Sequence, residues 1–447
     1  MQPDQTAPSL PAAVLSAGIT KEAINEKLLQ FIWQFQYFNK SDLLTTGGDS
    51  LHIIQPGKLN KDQGPDFTDG KIKIGNTTLA GTIEIHIKAT DWDKHGHQYD
   101  RKYRNVILHV VFVNDCENDN NIPVLELQPR ISSFLLSRYN TFMNSGNFIS
   151  CSSSISEVKP IVLSAWKERL LIERLTRKST YVLKLLEQTK FHWEEAFWWL
   201  LARNFGAKVN SEAFEAMARS VPLKVLAKHK NSIHQLEALL FGQLNLLEQE
   251  FIDEYPKLLK REYRFLKKKY GLNPAAISLV FLRMRPGNFP TIRLAQLATL
   301  IQESAHLFSK VLEMESITEV QQLFDCTAND YWHYHYLPDQ ASSYRVKKLG
   351  TEMVNNIIIN TLVPMVFAYG IYHNDQACKD KALLWLENTP GEKNNLVSGF
   401  KQLDVKISSA YDSQSLIELK NEYCNQKRCL ECSVGNGILK LSLDRNS

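Results

Sequence analysis

The run Val106-Ile107-Leu108-His109-Val110-Val111-Phe112-Val113 constrains the fold of this chain more than any other stretch. It is short, rich in β-branched residues and apolar at both alternating sets of positions. A strand of that kind needs cover on both faces, so it predicts the centre of a layered α/β sheet. Its partners are close by. LHIIQ begins at Leu51, KIKI at Lys71, LAGTIEIHIK at Leu79 and IPVLELQ at Ile122. Gly75, Asn76, Thr77 and Thr78 predict a hairpin turn between the second and third of these runs. Ile24, Leu28, Phe31, Ile32 and Phe35 recur at helical spacing and predict a helix over 21–38. The polar segment 91–104 predicts another helix. The order is helix, three strands, helix, strand.

The chain has 447 residues, enough for two or three domains. The reading along it is a flexible tail over 1–20, an α/β domain over 21–135, a Ser- and Asn-rich linker over 136–158 and a large helical domain over 159–447. The first residues carry no early positive charge and are interrupted by Pro3, Pro8 and Pro11, unlike a signal peptide. Ile357 to Tyr372 is broken by Asn360 and Pro364 and reads as a buried helix, so no membrane partner is expected. Seven cysteines in a large chain with no such leader predict a reducing cytoplasm. A formal net charge of +4 singles out no class of partner, so any basic surface must be local.

In Ile83-Glu84-Ile85-His86-Ile87-Lys88 the isoleucines face one way, and Glu84, His86 and Lys88 the other. A hairpin brings the start of one strand to the end of the next, which sets Asp66 within reach of Glu84. Two carboxylates and a backbone carbonyl make an oxygen site suited to Mg²⁺ or Mn²⁺. His86 or Lys88, on the same face, would then position or activate water. The alternative is a solvated polar face. Asp91, His95, His97 and Asp100 are candidates to hydrogen-bond and orient the groups around that cation, and His86, His97 and Asp100 are an alternative transition-metal set. His109, in an apolar strand, reads as a core histidine. His333 and His335 alternate with aromatics and read as packing.

Pro65-Asp66, the hairpin and Glu84-x-His86 resemble the PD-(D/E)XK nuclease motif, and the element order resembles that fold's core. The resemblance implies a metal-dependent nuclease acting on DNA or RNA, with Asp66 and Glu84 as ligands joined by a first-helix carboxylate, Glu26 or Glu22. Histidine stands where the motif has lysine. The chain as a whole is similar to an uncharacterised bacterial family known only as a domain of unknown function, through GPDF, IEIH, DWxxHGHxxD, NVILHVV, RPGNFPTIRLAQLA and KRCLEC. Two other readings stay open: a catalytically inactive nucleic-acid-binding or assembly protein, and a different His/carboxylate metal hydrolase.

Lys257, Lys260, Arg261, Arg264, Lys267 and Lys268 form a basic stripe at helical spacing, able to follow a phosphate backbone. Arg283, Arg285 and Arg293 add charge around a Pro-Gly turn, where Thr291 is a candidate helix cap. Cys424, Cys429 and Cys432 form a C-x4-C-x2-C array suited to zinc or an iron–sulfur cluster. KRCLEC resembles part of the iron–sulfur loop of endonuclease-III-type glycosylases. With no cysteine after Cys432, the fourth ligand is expected from Cys326 or Cys378.

Overall fold

The computed structural model describes residues 24–116, 122–281, 288–304 and 306–444. The tail over 1–20, Glu22, Arg283 and Arg285 lie outside the described residues. The chain divides into two compact units, one comprising residues up to Trp166 together with those from Leu419 onward, the other Lys167–Glu418.

The first unit is built on a curled mixed sheet. Its strands are β1 (Leu51–Gln55), β2 (Lys58–Leu59), β3 (Phe67–Ile74), β4 (Thr77–Lys88), β5 (Val106–Val113) and β6 (Val124–Glu126), in the order β1-β3-β4-β5-β6 with β2 also on β3. β1, β3 and β4 are antiparallel, whereas β5 runs parallel to both β4 and β6. The hairpin turn is tighter than the sequence suggests. Ile74 pairs with Thr77, so only Gly75 and Asn76 turn, with Gly75 at φ +54°. β5 is buried at every residue before Val113, as its composition predicts.

Helix α1 (Glu26–Gln34) starts where the Asn25 side chain accepts a hydrogen bond from the Leu28 amide. It stops short of residue 38. Gln36 takes a left-handed conformation at φ 56°, and Phe38 folds back to stack on Trp33. Leu28, Leu29, Ile32 and Trp33 are buried, and the helix packs on β4. Each such side chain contributes about 1.5–3 kcal/mol by burial, which fixes the helix across the sheet.

A parallel β4–β5 pair requires a crossover. That crossover is not one helix. α2 (Asp91–Lys94) is a single turn, Gly96 reverses the backbone at φ 72°, and two 3₁₀ turns follow at His97–Tyr99 and Arg101–Tyr103. Within the span 136–158 lies most of α3 (Ser133–Asn144), followed by the buried Ile149, Cys151 and Ile155. The C-terminal helix Ser433–Asp444 packs on α3. Asn436 accepts a 3.0 Å bond from the Tyr37 hydroxyl, and Arg138 donates to the Ile438 carbonyl at 3.1 Å.

The second unit is mostly helical. It includes α4 (Pro160–Gln188, from Lys167 onward), α5 (Trp193–Phe205), α6 (Ala207–Ser220), α7 (Leu223–His229), α8 (Ile233–Gln243), α9 (Glu254–Tyr270) and α10 (Pro290–Glu303). Phe197, Phe205, Phe214, Phe241 and Trp332 anchor one continuous core. Helices α8 and α9 touch at Gly242, where a β-carbon would lie 2.2 Å from the Tyr263 ring. Thr351–Tyr372 is the helix among the described residues that is long and apolar enough to cross a membrane, and 72% of its apolar window is buried within the protein.

Candidate metal centre

The hairpin register sets the first contacts. Phe67 pairs with Ile83, so Asp66 arrives beside Glu84. The Asp66 amide donates to Glu84 Oε2 at 3.0 Å, and Asp66 Oδ2 accepts the Ile85 amide at 3.1 Å. From α1, Gln30 donates to Asp66 Oδ1 at 2.8 Å. Glu26 lies one turn earlier on that helix, close enough for its charge to act on both carboxylates. Asp66 and Glu84 are thus in contact across the hairpin, and the charge of Glu26 acts on both from α1.

The solvated-face alternative does not hold, since Glu84 is 5% exposed and His86 1%. Alternation along β4 is correct, but helices and the crossover cover both of its faces at this level. Gly96 folds the crossover back so that two more imidazoles reach His86. His86 Nε2 lies 3.1 Å from His95 Nδ1, 3.3 Å from His97 Nε2 and 3.6 Å from Glu84 Oε1. His97 Nε2 is in turn 3.5 Å from Glu84 Oε1. Donor atoms about 2.0–2.1 Å from a tetrahedral ion stand about 3.3–3.4 Å apart, so these separations are those of a ligand shell. The ligand atoms of His86, His95 and His97 all lie within 4.8 Å of one another.

The opposite nitrogen of His86 is also engaged. His86 Nδ1 and His109 Nε2 share a hydrogen bond of 2.9 Å. That bond fixes the His86 ring and leaves Nε2 facing the cluster. His97 stacks on Tyr103 at 3.8 Å, and the buried Trp92 packs edge-on to His86.

Burial and mutual repulsion set the protonation states. Burial, then the charge of Asp66, pushes Glu84 up to about 8. Burial raises Asp66 to about 6, and Glu26 is also raised by burial. Burial and the neighbouring imidazoles lower His86 to about 3 and His109 to about 4, and lower His97 as well. Near neutral pH His86, His97 and His109 are therefore neutral, which leaves lone pairs on His86 Nε2 and His97 Nε2 for a cation while His109 Nε2 accepts from His86 Nδ1. Glu84 carries a proton that a cation would displace.

The remaining candidates lie at the margin. Lys88 is exposed at the end of β4, its ammonium 3.9 Å from Asp115. Asp91 accepts the Lys88 amide and pairs with Lys94 at 2.8 Å. Asp100 is exposed and caps the following turn by accepting the Lys102 amide at 2.9 Å. His95 and His109 are closer to the centre than their sequence positions suggest. For His109 a signal existed: a polar residue inside an apolar strand, in register with Glu84 on the parallel neighbour.

The basic stripe is thinner than its spacing implies. On α9, Lys260 is buried and bonds Glu250 and two carbonyls, and Lys257 pairs with Glu254. Arg261, Arg264 and Lys268 stay exposed at i, i+3 and i+7, with Lys267 half-buried. Arg293 is no surface charge. It bonds Gln296 and Asn288, and burial lowers it to about 10. Thr291 is not a cap either, because its buried hydroxyl donates to the Tyr336 carbonyl. His335 stacks on Tyr331 at 4.1 Å, as aromatic packing predicts. Cys326 and Cys378 belong to the second unit, whereas Cys424, Cys429 and Cys432 belong to the first, so the expected fourth ligand is not among their neighbours in that unit.

Fold and site together define a mixed α/β unit carrying a candidate metal centre, joined in one chain to a mostly helical unit. The chain belongs to the family described as "Protein of unknown function (DUF2851)", whose model matches residues 26–395. No curated protein and no solved structure matches it.

Proposed function

We propose that the first unit is a metal-dependent hydrolase of phosphodiester bonds. One observation carries the proposal: three donor atoms lie within 3.1–3.6 Å of His86 Nε2, with acidic side chains immediately beside them. His86, His95, His97 and Glu84 would hold the cation. Three imidazoles and a carboxylate favour Zn²⁺, Fe²⁺ or Mn²⁺ over Mg²⁺, which prefers oxygen. A cation held there polarises a substrate oxygen and lowers the pKa of a bound water. Asp66, held by the Ile85 amide and Gln30, is the group placed to accept a proton, and its pKa of about 6 leaves it ionised at neutral pH.

The phosphodiester class rests on the likeness to PD-(D/E)XK nucleases. A helix, a hairpin, a crossover and a parallel strand in succession, with Asp66 and Glu84 in contact across the hairpin, support that likeness. Histidine at the motif's lysine position fits a centre whose cation is held by nitrogen as well as oxygen. Arg261, Arg264 and Lys268 would give a nucleic-acid strand a contact on the second unit.

The test is cleavage of single- and double-stranded DNA, RNA and a chromogenic phosphodiester by chelator-stripped protein. Mn²⁺, Zn²⁺ or Mg²⁺ is then added back. Wild type is run beside Asp66→Asn and His97→Ala. The expected result is cleavage with Mn²⁺ or Zn²⁺ that fails in both variants. Folded, metal-loaded protein inert on every substrate would overturn the proposal.

A further inference from the structure

Four cysteines of the first unit, from two distant parts of the chain, lie near enough for their charges to act on one another. Cys424, Cys429 and Cys432 lie in the C-terminal segment, and Cys151 follows α3. Lys427 ties the two parts by donating to the Ser145 carbonyl at 2.5 Å, to the Phe142 carbonyl at 3.4 Å and to the Ser150 hydroxyl at 3.3 Å. Ser150 also lies close enough to Cys429 to hold its thiol pKa down. The helix Ser433–Asp444 contacts the turn Ile155–Glu157, closing the same corner from the other side. Cys151 is thus the cysteine of this unit that the fold brings towards the local array.

The surroundings suit ligating sulfurs. Cys432 directly precedes a helix, and the nearby Val434 and Gly435 amides and Trp166 indole hold its thiol pKa down against burial. Those donors stabilise a thiolate. Gly435 permits the approach, since a β-carbon there would lie 2.3 Å from the Cys429 carbonyl oxygen. Cys151, Cys429 and Cys432 are buried, and all four are free of disulfides. Burial, together with the charge each would place on the others, raises Cys151 to about 12 and Cys432 to about 11 and raises Cys424. Lys427 near Cys429 and Lys420 near Cys424 oppose that build-up of negative charge.

We infer that Cys151, Cys424, Cys429 and Cys432 bind a [4Fe–4S] cluster. A cubane and a single zinc ion call for different sulfur spacings. Four thiolates on one Zn²⁺ place their sulfurs about 3.8 Å apart, whereas a cubane spreads them to about 6.4 Å. The ligand atoms found converging within 4.8 Å among the described residues are those of the histidine trio, not these sulfurs. Four thiolates on the oxidised cubane leave a net charge of −2, which the two lysines offset. The cluster would pin the C-terminal segment to the turn after α3. This inference does not depend on the hydrolase proposal.

The test is anaerobic isolation of the full chain, with reconstitution by ferrous iron and sulfide. Iron, acid-labile sulfide, zinc and visible absorption are then measured. The histidine centre takes no sulfide, so labile sulfide reports the cluster alone. The expected result is about four labile sulfides per chain and a broad visible band that bleaches on reduction. Cys151→Ser should lose most of the sulfide, and Cys378→Ser should keep it. Circular dichroism checks that Cys151→Ser is folded. Wild type that takes up zinc but no sulfide overturns the inference, as does a folded Cys151→Ser protein with full sulfide content.

Discussion

Replacing Glu84 with glutamine separates the energetic penalty of the metal-free centre from the affinity it provides. Glutamine retains a carbonyl oxygen to accept the Asp66 amide, and its NH₂ can face the lone pairs of His86 and His97. It also mimics the protonated acid. The folded-state pKa of Glu84 is raised from 4.5 to about 8. Its stability contribution is thus fully present below pH 4.5 and is lost as pH rises towards 8. At 1.36 kcal/mol per unit, the loss is about 1 kcal/mol at pH 5, about 3 kcal/mol at pH 7 and about 5 kcal/mol above pH 9. Chelator-stripped Glu84→Gln protein should therefore be more stable than wild type, by a margin that widens over that range. At roughly 2–4 °C per kcal/mol, calorimetric scans would resolve it. With Mn²⁺ the gap at pH 7 should nearly close. Saturation at a hundredfold Kd adds about 2.7 kcal/mol to wild type, and the variant should gain far less. The reasoning is refuted if the variant is less stable than wild type at every pH without metal. It is refuted equally if the variant keeps the full Mn²⁺ response.

Three further outcomes follow from the same geometry. His109→Phe removes the bond to His86 Nδ1 while keeping an aromatic ring in the strand, and Mn²⁺ titration should show affinity lower by about 10–100-fold. Mn²⁺ binding to wild type at pH 7 should release about one proton, chiefly from Glu84, measurable by calorimetry in buffers of different ionisation enthalpy. Release should shrink as pH rises past 8, where that proton is already gone. In the helical unit, Gly242→Ala drives a methyl into the Tyr263 ring and should cost about 1–3 kcal/mol in chemical denaturation, with the metal response unchanged.

Much of the first unit was legible because its signals are local. Strict alternation marks β4, the apolar run marks β5, and a hairpin register of a few residues brings Asp66 to Glu84. Other features depended on distance or partners. The histidine centre depends on a left-handed Gly96 that breaks an otherwise helical-looking segment and returns His95 and His97 to β4. Cys151 joins the C-terminal cysteines only through tertiary packing, which no spacing rule encodes. Lys260 and Arg293 looked like surface charge because charge patterning carries no information about Glu250, Gln296 or Asn288. Those partners turn both residues inward.

The most direct test of the metal centre is Co²⁺ titration followed by visible absorption, in chelator-stripped wild type and His97→Ala, with the cysteines blocked beforehand. Cobalt reports both its geometry and its ligand type. The account predicts tetrahedral d–d bands in wild type that saturate at one equivalent, with no thiolate charge-transfer band and no signal in His97→Ala. Weak octahedral absorption alone, or the same spectrum from both proteins, would contradict a cation held by His86, His95, His97 and Glu84.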